Sequence, residues 1–308
     1  MSMTQILQQI LIIFCYVTVG FASGKLGIIN SEQRMFLSKL CSSLLLPFTV
    51  LSAAGMSVGP AEFMNLGIAL VLDFLVLGGT MGISLLYFKL THKDEKLRTA
   101  LTGLITFPNC TFLGLPLCMA LFGQIAVLYN CAALIAFNVL FFTVQLPLFT
   151  GGRFTLKSIL TPPTIATAVL LVMLGTGLHW PAPLQTVISS IGSMITPLSL
   201  IIIGVMLSEN DLAAIFREKQ IYPVVLIRNF LIPVITILLL TLFPLDPMAK
   251  LCCLVYIACP CATLTTIYSI QTDTKPELCA RSVLLSTILF SVSLPAVVAL
   301  AQCFPSFR

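Results

Sequence analysis

Apolar runs long enough to cross a bilayer follow one another along the whole chain. Ten are expected, at about 5–23, 35–55, 63–88, 97–120, 124–148, 158–178, 184–207, 220–243, 248–270 and 279–302. A crossing needs about 20 predominantly apolar residues. The pattern predicts an all-α integral membrane protein of ten transmembrane helices, with no room for a separate soluble domain. Only 9% of the 308 residues are charged, against about 25% in a soluble domain. Met1–Gln9 lacks Lys and Arg, so Ile6–Ala22 reads as a retained first span rather than a secretory signal.

Basic residues sort by loop. Lys25, Arg34, Lys39, Lys89, Lys93, Lys96, Arg98, Arg153, Lys157, Arg217, Lys219, Lys275 and Arg281 fall on one side, and Lys250 and Arg308 on the other. This bias of thirteen against two places the rich loops in the cytoplasm and both termini outside the cell membrane. The net charge of +5 is thus a topology signal, not one for nucleic acid.

The two halves, 1–150 and 151–308, resemble each other. Pro47, Pro108 and Pro147 recur as Pro197, Pro260 and Pro295. Ser43 matches Ser193, Asp94 matches Asp246, Arg98 matches Lys250, and Thr111 matches Thr263. Five spans per half require the second repeat to enter the bilayer inverted. Pro108 and Pro260 then break spans 4 and 9 near the midplane. A proline removes an N–H and clashes with the preceding turn, and freed backbone groups in hydrocarbon need partners inside the protein. A tolerated kink is the plainer reading of one such proline. Matching breaks in inverted repeats point to a secondary transporter with its site between them.

Helix starts after the breaks carry partial positive charge and unpaired N–H groups, a setting for an anion. The expected substrate-binding residues are Pro108, Asn109, Cys110 and Thr111 from one half, and Pro260, Cys261, Ala262 and Thr263 from the other. Asn109 offers an amide donor, whereas Cys261 is a weak donor at best. Asp73 and Arg228 are charges within spans 3 and 8, and such charges are functional candidates. Asp73 is the one carboxylate there and the candidate for proton coupling; a structural charge beside a water-filled crevice is the other reading. Arg228 either pairs with Asp73 or snorkels to a surface. Ser43, Pro47, Ser193 and Pro197 are expected as packing or hinge positions, with a lesser prospect of lining the substrate path.

No nucleophile with its base, Walker loop or nucleotide fingerprint occurs, so neither an enzyme nor an ATP-driven pump is expected. The eleven cysteines lie mostly in apolar runs and read as small hydrophobes. Cys259-Pro260-Cys261 lacks zinc-site spacing, and no metal or cofactor is expected. The Asn109-Cys110-Thr111 sequon lies at membrane depth and reads as chance.

Asn109-Cys110-Thr111-Phe112-Leu113-Gly114-Leu115-Pro116 resembles the Asn-x-x-Phe-x-Gly-x-Pro signature of the auxin efflux carrier family, whose bacterial branch is described as malate, malonate or other organic-acid permeases. Thr196-Pro197-Leu198 with Ile203–Leu207, and Ser286–Pro295, resemble its seventh- and tenth-span motifs. The resemblance implies a fold like the bile-acid/sodium symporters, with helices 4 and 9 crossing at their breaks. It implies a moving transport domain at about 63–150 and 219–304. A scaffold at about 1–58 and 156–208 would form a homodimer. Members often have glycine at the position of Thr111, and plant carriers often have asparagine at that of Cys261, so auxin is a poor guess as substrate. The implied function is an elevator-type carrier of a small mono- or dicarboxylate. A sodium-coupled symporter and a non-transporting receptor or channel are the alternatives.

Overall fold

A computed structural model of the chain describes residues 3–152, 155–209 and 212–307. Met1, Ser2, Arg153 and Arg308, which entered the reading of the N-terminus and the charge count, lie outside the described residues. Among the described residues the chain is helical and forms no strand.

The helices in order are α1 (Met3–Lys25), α2 (Ser31–Gly55), α3 (Pro60–Thr91), α4 (Glu95–Thr106), α5 (Cys110–Phe122), α6 (Ile125–Thr150), α7 (Pro162–Thr176), α8 (Ala182–Ser208), α9 (Leu212–Arg217), α10 (Ile221–Leu242), α11 (Pro247–Ala258), α12 (Thr263–Gln271) and α13 (Pro276–Gln302). Six are long and apolar enough to cross a membrane: α2, α3, α6, α8, α10 and α13. Leu11–Lys25 of α1, with α5, α7 and α11, are shorter apolar helices. The runs expected at 97–120 and 248–270 are each two helices, α4 with α5 and α11 with α12.

Four of the prolines within helices sit just after a local unwinding. Pro47, Pro116, Pro147 and Pro233 each follow a five-residue π-helical turn, at Cys41–Leu45, Cys110–Gly114, Phe141–Gln145 and Ile227–Leu231. A π turn widens the helix and relieves the clash of the proline ring with the preceding turn. Pro295 sits inside α13 with no such turn.

The chain packs as two units. The first comprises Met1–Met64, Thr111–Cys131 and Leu160–Leu212, and the second Asn65–Cys110, Ala132–Ile159 and Ala213–Arg308. The stretch expected to move as one body ran unbroken from 63 to 150; the second unit lacks Thr111–Cys131.

In the first unit α1 lies directly against the second half of α8. A Cβ on Gly20 would fall 2.1 Å from the Ile201 carbonyl oxygen, and one on Gly204 2.0 Å from that of Val17. Small residues allow such backbone approach in membranes. α2 meets the first half of α8 through the Thr49 hydroxyl, which donates to the Gly192 carbonyl at 2.8 Å. Asn30 and Gln33 form a capping box that starts α2, and Arg34 pairs with Glu209 at 2.8 Å.

In the second unit α4 and α11 are built alike. Each has twelve residues and begins on an aspartate cap: Asp94 accepts from the Leu97 N–H at 3.2 Å, and Asp246 from the Ala249 N–H at 2.8 Å. Each ends in extended backbone leading to a proline, at Phe107 and at Cys259. Asn65 donates to the Asp246 carboxylate. The N-terminal end of α4 is tied to the loop before α13 by two crossed ion pairs, Lys96–Asp273 at 2.8 Å and Lys275–Asp94 at 2.7 Å.

Candidate functional site

The two proline breaks bond to each other. Phe107–Asn109 and Pro260–Ala262 run antiparallel, with Pro108 bridged to Cys261. The Asn109 N–H donates to the Pro260 carbonyl at 2.7 Å, and the Ala262 N–H donates to the Phe107 carbonyl at 2.9 Å. Donors that a broken helix leaves unpaired are thereby satisfied by the other break. Ring packing fixes the first break: Phe107 is fully buried, with its centroid 5.0 Å from those of Phe137 and Phe141.

Arg228 bonds to the helix ends that lead into the same junction. It is 0% exposed. Its Nε donates to the Cys259 carbonyl at 3.0 Å, and one terminal nitrogen donates to the Ile105 and Thr106 carbonyls, each at 3.2 Å. The other terminal nitrogen donates to the Ile257 carbonyl. The last carbonyls of a helix have no intrahelical donor and carry partial negative charge. One guanidinium fork therefore caps the C-terminal ends of α4 and α11 together, through charge-assisted hydrogen bonds. Arg228 neither snorkels nor pairs with Asp73: its partners are main-chain carbonyls.

The site residues foreseen from sequence divide as follows. Asn109 and Thr263 meet, the Asn109 amide donating to the Thr263 hydroxyl at 3.2 Å. Asn109 is 4% exposed, and Pro108, Cys110, Pro260, Cys261 and Ala262 are also buried. Thr263 is half-buried and opens α12, whose cap residue Ala262 provides no side-chain hydrogen bond. Thr111 is half-buried and belongs to the first unit. Asp73 is 2% exposed and, among the described residues, has neither a hydrogen bond nor an ion pair. Ser43 and Ser193 are exposed, and the Ser193 hydroxyl bonds back to Ser190. Pro47 and Pro197 are half-buried. The close contact near these four falls instead on Thr49 and Gly192.

Two further residues support the junction. The Ser286 hydroxyl accepts from the Cys261 N–H at 3.1 Å. The Asn229 amide donates to the Ser286 carbonyl at 2.8 Å and to the Ser293 hydroxyl at 3.3 Å. Asn229 is fully buried, and its amide oxygen has no partner among the described residues. A polar residue beside Arg228 within an apolar run was the available signal. Ser286 lies in the tenth-span motif, yet nothing in its spacing ties it to Cys261. Among the described residues no group of His, Cys, Asp or Glu could hold a metal ion.

The chemistry on offer is electrostatic and non-covalent: a buried cation, two bonded breaks, one carboxamide and an uncapped helix start. Pairwise comparison with curated proteins gives no match to the chain. A family model described as membrane transport protein matches residues 5–153 and 145–298. That family is one of transporters, not of enzymes. The chain belongs to the membrane transport protein family, the one containing the auxin efflux carriers.

Proposed function

We propose that the protein is a secondary carrier of a small organic anion, a mono- or dicarboxylate, working by elevator-type alternating access. The observation that carries this reading is the hydrogen-bonded junction of the two breaks, with Arg228 on the carbonyl ends of α4 and α11. Arg228 offsets the negative helix ends and leaves a positive balance beside Asn109 and the start of α12. A substrate carboxylate would take up the Asn109 amide, now bonded to Thr263, and the open N–H groups of α12. Pro108, Cys110, Pro260, Cys261 and Ala262 would shape the surface around it.

In this reading α4 with α5 and α11 with α12 are the fourth and ninth of ten spans in two inverted repeats. The matched lengths and aspartate caps of α4 and α11 support that pairing. The protein would lie in the cell membrane with both termini outside. Residues 63–150 and 219–304 would move, and 1–58 with 156–208 would form the scaffold of a homodimer. Asp73 would carry the coupled proton.

Uptake of labelled mono- and dicarboxylates into proteoliposomes tests the reading. Saturation and counterflow are expected; conductance that rises without saturation would overturn it. For Asp73→Asn, the dependence of uptake on an imposed proton gradient should vanish while counterflow persists. A gradient response equal to that of the unsubstituted protein would remove Asp73 from coupling.

A further inference from the structure

A second charged feature lies toward the N-terminal end of α4, whose C-terminal end meets the junction. A cleft of about 190 Å³ opens between the ends of α3, α4 and α6 in the second unit. Its volume is roughly six times the ~30 Å³ share of a water molecule in the liquid, room for a tetrahedral oxyanion. Lys89 and Arg98 line it. Among the described residues neither has an ion-pair partner, although Arg98 is half-buried. Thr102 also lines the cleft; it is 0% exposed, and its hydroxyl has no hydrogen-bond partner. Two unpaired cations and an unpaired hydroxyl on one cleft make an incomplete set of donors.

We infer that this cleft binds the phosphate of an acidic phospholipid headgroup, held by Arg98, Lys89 and Thr102. Arginine matches phosphate oxygens with a two-pronged fork, and lysine supplies a point charge. Glu95, exposed at the same cleft, repels a bare anion but accepts hydrogen bonds from headgroup hydroxyls such as those of glycerol. Leu85 and Leu148 form apolar walls. Ile83, Leu86 and Leu90 extend an exposed apolar surface along α3, suited to acyl chains. On the orientation proposed above, this end of α3 and α4 lies at the cytoplasmic leaflet. Basic pockets between helices at that level take anionic headgroups. Free inorganic phosphate shares the recognising chemistry and is the other source of the ligand.

Native mass spectrometry of the purified full chain with equal phosphatidylglycerol and phosphatidylcholine distinguishes these cases without any transport assay. Failure here is therefore separable from failure of the carrier reading. The unsubstituted protein should retain phosphatidylglycerol about tenfold over phosphatidylcholine, a difference of ~1.4 kcal/mol. Lys89→Gln with Arg98→Gln should erase that preference. Lys39→Gln with Lys93→Gln, at exposed positions outside the cleft, should keep it. A thermal shift with inorganic phosphate alone, lost in the Lys89/Arg98 variant and unaccompanied by lipid preference, would assign the cleft to the free anion and overturn the lipid assignment. Equal loss in both double variants, or no preference in the unsubstituted protein and no phosphate response, would overturn the site.

Discussion

The two proline breaks pair with each other yet differ in form and in side chains: residues 107–109 pass into a π turn, and residues 259–262 pass directly into α12. Each follows a twelve-residue helix with an aspartate cap, each ends on carbonyls held by Arg228, and each pairs its main chain with the other. The first break then presents Asn109, a carboxamide donor. The second presents Cys261, whose N–H is already taken by Ser286. Main-chain bonding and one shared arginine build the junction, whereas its strongest neutral side-chain donor comes from one break only.

Arg228 serves both breaks, so its loss should have the largest effect. Arg228→Gln would leave several carbonyls short of donors, each costing on the order of 1–3 kcal/mol. Its unfolding temperature in detergent should fall sharply, with Arg228→Lys intermediate because an ammonium lacks the planar fork. Equal unfolding temperatures for all three proteins would dissolve the common cap.

The asymmetry of the breaks comes next. Asn109→Ala removes a donor to an anion, worth about 1.5–3 kcal/mol, so uptake at low substrate should fall roughly 10- to 100-fold. Cys261→Ala should change it less than about twofold, since the thiol is a weak donor. Equal losses would mean that the two breaks contribute alike. Ser286→Ala should act on the second break alone, lowering stability by about 1 kcal/mol, as read from denaturant or thermal unfolding.

The smallest effect concerns the crossed ion pairs at the N-terminal end of α4. The hydrogen bond from Lys275, followed by the Leu97 N–H, holds the Asp94 carboxyl below its ordinary range, and Lys96 does the same for Asp273. Carboxyls lowered in the folded state stabilise it above the unfolded value near ~3.9, and that contribution is lost as pH falls through the folded values. Amide exchange at Thr272–Lys275, corrected for the intrinsic pH dependence, should therefore be flat from neutral pH to about 5 and accelerate below about 4. High salt should weaken the protection, because exposed pairs are screened.

Much of this arrangement was legible in the sequence because hydrocarbon leaves the backbone few choices. Pro108 and Pro260 mark breaks for want of an N–H, and the match of Asp94 with Asp246 aligned the two helices that lead into them; that both residues cap those helices emerged only with the structure. What was not legible depends on which groups meet. The sequence offered Arg228 a carboxylate or a surface; it finds four carbonyls, a partner that every residue carries and no pattern marks. Ser43 and Ser193 read as packing positions through small size and polarity, yet the helix contact falls on Thr49 and Gly192, residues on the buried faces of α2 and α8. The π turns before Pro47, Pro147 and Pro233 were also hidden, since a proline signals relief of a clash without specifying its form.

Substrate binding to folded protein, measured by isothermal titration calorimetry, bears most directly on the junction as an anion site. With the carboxylate identified by thermal-shift screening, the unsubstituted protein and Cys261→Ala should bind with similar affinity. Asn109→Ala, with its unfolding temperature unchanged, should bind at least about tenfold more weakly. Undiminished affinity in folded Asn109→Ala would contradict the assignment of the carboxylate to this junction.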